Sequence, residues 1–199
     1  AGYISNCENR AMVNGTNNVG GIVGYGEGSL QNSANYGDIS GVAQVGNLIG
    51  FAAAVNLNNV LGVGNVTATD QKGGLLVGES NNPWSTASGI LAYNSNAKLT
   101  IKGTEQTGEA VKAIGEGSLP SAFRVKAFSA EQLKSGLVAF ILQGNASESA
   151  KWGQKLNTDD YPLLGSTNKV YSDRPMIMKC SGELEGTGKY SNTKPAQEG

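Results

Sequence analysis

Gly28-Ser29-Leu30-Gln31-Asn32-Ser33-Ala34-Asn35 repeats Gly2-Tyr3-Ile4-Ser5-Asn6-Cys7-Glu8-Asn9, and Asn56-Leu57-Asn58-Asn59-Val60-Leu61-Gly62 states the phrase again in degraded form. A second phrase follows each copy: Ala11-Met12-Val13-Asn14-Gly15, Gly37-Asp38-Ile39-Ser40-Gly41 and Gly64-Asn65-Val66-Thr67. A third closes each unit: Gly20-Gly21-Ile22-Val23-Gly24, Gly46-Asn47-Leu48-Ile49-Gly50 and Gly73-Gly74-Leu75-Leu76-Val77-Gly78. Val13, Ile39 and Val66 set a period of about 26 residues, in the range of stacked repeat architectures.

Each unit holds three short apolar phrases separated by Asn, Gly and Ser, and none has the 3.6-residue spacing of an amphipathic helix. Apolar and polar positions alternate instead, as in Tyr3-Ile4-Ser5-Asn6-Cys7 and Met12-Val13-Asn14. The fold class is therefore mainly β: a parallel β-solenoid (β-helix) of about 26-residue coils with three short strands per coil. Coils would stack about 4.8 Å apart. The expected inward ladders are Ile4–Leu30–Leu57, Val13–Ile39–Val66 and Ile22–Leu48–Leu75. Asn6, Asn32 and Asn59 share a register and are expected to stack as an amide ladder, a row for sugar or ion binding being the functional alternative. Tyr25 and Phe51 coincide and should stack at a coil corner. Gly15, Gly24, Gly41 and Gly50 are read as corner residues at positive φ. None of the glycine clusters forms a nucleotide fingerprint, since Gly24-Tyr25-Gly26-Glu27-Gly28-Ser29 fails the last position of G-x-G-x-x-G.

The run Val19-Gly20-Gly21-Ile22-Val23-Gly24-Tyr25, followed by residues 28–41, resembles a GLUG repeat. Such repeats belong to large bacterial surface and secreted proteins, among them adhesin-like proteins and the non-catalytic regions of immunoglobulin A metalloproteases. The resemblance covers residues 1–78 and implies a structural or adhesive role, without naming a ligand.

The 199 residues include 29 glycines, well above the average share of roughly 7%, and carry a net charge of -1. No basic stripe is present to track a phosphate backbone, so nucleic acid is not an expected partner. No apolar run approaches the roughly 20 residues of a membrane-spanning helix. The chain starts inside a repeat and reads as part of something longer. Histidine is absent, which removes Ser-His-Asp and Cys-His nucleophiles and His-ligated zinc. Cys7 and Cys180 are too few for a disulfide framework or a zinc site. Cys7 shares its register with Ser33 and Val60, as an unpaired packing residue would. No catalytic residue, metal site or cofactor is assigned.

The solenoid is expected over residues 1–125, clear over 1–78 and degraded over 79–125, with an insertion at Asn81-Asn82-Pro83-Trp84. Trp84 and Tyr93 are the candidates for stacking on a carbohydrate, with plugging of an irregular coil as the structural alternative. Residues 126–185 read as a small α+β capping module. Ser129 and Gln132 make a capping box, Leu133, Leu137 and Ile141 give one helix an apolar face, and Gly144 stops it. Short strands are expected around Leu163, Val170 and Ile177. The segment 152–171 resembles a module that follows such repeats in gut-bacterial surface proteins, and its expected task is to cover a sheet edge. Residues 186–199 read as a polar tail.

Three functions fit these readings. The first is a non-catalytic module of a bacterial cell-surface or secreted protein, an adhesive surface or stalk, monomeric, meeting a surface protein or glycan of host or bacterium outside the cell. The second is a polysaccharide lyase or hydrolase, an analogy from fold alone. It would need Glu8, Arg10, Glu27, Asp38, Asp70 and Lys72, scattered in register, to converge. The third is an accessory region of a larger secreted protease.

Overall fold

The computed structural model describes residues 2–81, 88–117, 124–144, 151–174, 177–179, 183–185 and 188–195. Trp84 and Cys180 lie outside the described residues. The chain forms two compact units, residues 1–127 and 128–199.

The first unit follows directly from the repeat: each phrase hydrogen-bonds in parallel to its own copy one coil away. Gly2–Ser5 pairs with Val23–Asn35, placing Ile4 on Leu30, and Leu30 in turn sits on Leu57 in Ile49–Gly62. Val13, Ile39, Val66 and Leu99 form the second ladder. The third phrase pairs Val23 with Ile49, Val77 and Ile114. The result is a parallel β-solenoid of about three turns. Its interior holds two apolar clusters, one around Leu30, Leu48, Leu57 and Leu76, the other around Ile39, Val45, Val66 and Leu75.

The three phrases resolve into two hydrogen-bonded sheets. Val23–Asn35 runs the third phrase of one coil into the first phrase of the next as a single strand, and Ile49–Gly62 does the same. Bends inside these strands are made by single residues in the left-handed region: Asn6, Asn32 and Asn59 form one column, at φ 55°, 42° and 49°. Asn18, Gln44 and Lys72 form another, at φ 53°, 51° and 64°. One such residue turns the backbone while the ladder continues on both sides, so the faces stay in one sheet.

Two expectations change here. The asparagines at 6, 32 and 59 recur for their backbone, since asparagine reaches positive φ more readily than other non-glycine residues; the side-chain bond of Asn6 is local, to Ser5 Oγ, and that of Asn59 runs to the next coil, where Ile90 N donates to its Oδ1 at 3.0 Å. The glycines expected at the corners have other work. None of Gly15, Gly24, Gly41 and Gly50 is among the residues at positive φ. A Cβ on Gly24 would stand 2.7 Å from the Asn18 carbonyl oxygen, and one on Gly50 would meet the Asn18–Val19 peptide itself. Gly24 and Gly50 let two strands touch backbone to backbone, while Gly15 and Gly41 leave room for the Val19 side chain.

The third ladder is also shifted by one. Leu48 N donates to Leu76 O, and Leu76 shares the Leu48 cluster while Leu75 faces the other. The cause is an extra residue in the third coil: the register slips between Gly41 and Ala43, which pair with Ala68 and Gln71. Leu75 is buried all the same.

An amide network ties coils together at their interior edge. Asn9 Nδ2 donates to Asn35 Oδ1 at 2.7 Å and to Ala11 O, while Asn35 Nδ2 donates to Gly37 O at 2.7 Å. At the equivalent place one coil on stands Gly62, with no side chain. Asn47, reaching in from the third phrase, donates to Gly64 O at 2.8 Å in its stead. The exchange is reciprocal: Gly21, one coil before Asn47, leaves the room that Asn35 fills.

In the second unit, Ser129 and Gln132 form the capping box, Gln132 Oε1 accepting from Ser129 N at 2.9 Å. The single expected helix is two, α1 (Ala130–Lys134) and α2 (Leu137–Leu142), broken by Gly136 at φ 93°. With the break, Leu137, Val138, Ala139, Phe140 and Leu142 are all buried, so α2 has no polar face of its own. Leu163–Leu164, Tyr171–Ser172 and Ile177–Met178 are strands, each in an antiparallel pair.

Candidate functional site

Where Gly24, Gly50 and Gly78 bring two strands into backbone contact, the residue after each glycine emerges beside the left-handed column on the opposing strand. Tyr25, Phe51 and Glu79 are in register on one lip, with Glu116 paired to Glu79 beyond. Asn18, Gln44 and Lys72 stand on the other. Between them runs an open groove of about 480 Å³, lined also by Asn17, Ala43, Asp70 and Gln71. A cleft of this size is in the range of small-ligand sites.

The lips differ in chemistry along their length. Tyr25 stacks on Phe51 with ring centroids 5.4 Å apart and planes 4° from parallel, yet Tyr25 remains 58% exposed. In the third coil the aromatic–amide pairing gives way to an ionic one: Lys72 Nζ lies 2.9 Å from Glu79 Oε1 and 3.3 Å from Glu116 Oε2. The hydrogen bond to Glu79 raises the lysine pKa, opposed by burial and aided by Glu116. This cluster continues the two columns one coil further, with its cation already engaged.

The amides in the groove contrast with those elsewhere. Asn9, Asn35, Asn47, Asn65 and Asn94 all hydrogen-bond to backbone or to another amide. Among the described residues, the side chains of Asn17, Asn18, Gln44 and Gln71 enter no hydrogen bond with the protein.

Tyr93, one of the two aromatic residues singled out from the sequence, lies elsewhere. It pairs with Gly62, is half-buried, and packs against both apolar clusters, where burial raises its phenol pKa. The six outward charges over residues 1–78 stay apart for the most part. Glu8 pairs with Arg10 at 3.0 Å, Asp38 accepts from Asn65, and Asp70 lies 3.9 Å from Lys102.

The Tyr25–Phe51 lip was legible from the repeat, while the opposite lip was missed. Its signal is positional: Asn18, Gln44 and Lys72 each stand two residues before the glycine of Val-Gly, Val-Gly and Gly-Gly.

Neither a protein-family model nor a curated protein matches the chain. Among solved structures it is similar to "a putative immunoglobulin A1 protease from Bacteroides ovatus", at 19% identity and a TM-score of 0.55, over 82% of this chain and 57% of that one. The chain thus spans little more than half the length of that protein, and at this identity the likeness is one of fold.

Proposed function

We propose that this chain is a non-catalytic binding module of a secreted or cell-surface bacterial protein, presenting the groove between Tyr25–Phe51 and Asn18–Gln44 to a surface glycan or protein. The observation that carries the reading is the set of four uncommitted amides lining one groove, on a scaffold where Asn9, Asn47 and Asn65 spend theirs on bonds between coils. The GLUG-like phrases support a place outside the cell. Lys72, in the same column as Asn18 and Gln44, is engaged by two carboxylates and offers the groove no free cation.

A second reading is favoured by the likeness to the Bacteroides protein: the same module as an accessory region of a larger secreted protease, holding a substrate or surface while chemistry proceeds elsewhere. Both readings expect binding without turnover by this chain. Screening the intact chain against arrays of glycans and extracellular-matrix proteins should give saturable binding. Hydrolase or lyase turnover of a bound polysaccharide would overturn the non-catalytic reading.

A further inference from the structure

We draw no further inference here: the strongest candidate, the mostly apolar pocket of about 390 Å³ that Tyr171–Ser172, Tyr190–Ser191, Thr193 and Pro195 line in the second unit, carries nothing because nothing in the structure shows what covers it.

Discussion

At the scale of the residue, the recurring asparagines divide into two kinds that look alike in sequence. Asn32 is retained for φ 42°, and Asn47 for the bond its Nδ2 makes to Gly64 O. Substitution separates them. Asn32→Gly should leave thermal stability nearly unchanged, whereas Asn32→Ala should cost about 1–2 kcal/mol, the expense of a left-handed alanine. For Asn47 glycine gives no rescue: Asn47→Ala and Asn47→Gly should both cost about 1–3 kcal/mol, because the buried Gly64 carbonyl loses its donor. Urea titrations of the four variants check both statements, and equal losses for Asn32→Gly and Asn32→Ala would refute the backbone account.

At the scale of the element, local signals were legible where a short stretch decides the outcome. Ser129 and Gln132 form their box because capping depends on four neighbouring residues. Replacing Ser129 by Ala should lower stability by about 1 kcal/mol, read as a drop in the melting temperature of the second unit. The ladders Ile4–Leu30–Leu57 and Val13–Ile39–Val66 were legible because β-pairing in a solenoid matches like with like. What escaped depended on events far along the chain. Leu48 meets Leu76 because of one added residue before Gln71, and a slip of one reverses which face a side chain takes. Periodicity also joined α1 and α2 into one helix, since Gly136 at φ 93° interrupts the backbone without interrupting the apolar pattern. The groove was half legible: Tyr25 and Phe51 share a residue class, while Asn18, Gln44 and Lys72 share only a backbone conformation.

At the scale of the whole molecule, alkaline pH should be the destabilising direction. Burial raises the phenol pKa of Tyr93 in the first unit and of Tyr190 in the second, and the Glu79 hydrogen bond raises that of Lys72. In each case the folded state holds its proton more tightly than the unfolded chain does. That stabilisation is fully present below the unfolded values near 10.0 and 10.5, and is lost as pH climbs through the higher folded ones. Melting temperatures followed by circular dichroism should hold steady from about pH 8 to about pH 9.5, then fall towards about pH 11. Tyr93→Phe should flatten part of the fall; an unchanged slope would exclude Tyr93 as a source.

The exchange between Asn35 with Gly21 and Asn47 with Gly62 bears on how such chains drift over evolutionary time. One buried amide is needed at each level, and either of two positions can supply it provided the other is glycine. A single change at either site therefore loses the bond or meets a clash, unless its opposite number changes with it. Comparison that scores each alignment column by itself counts two mismatches there. Scored as a covarying pair, the same two positions register a single conserved contact.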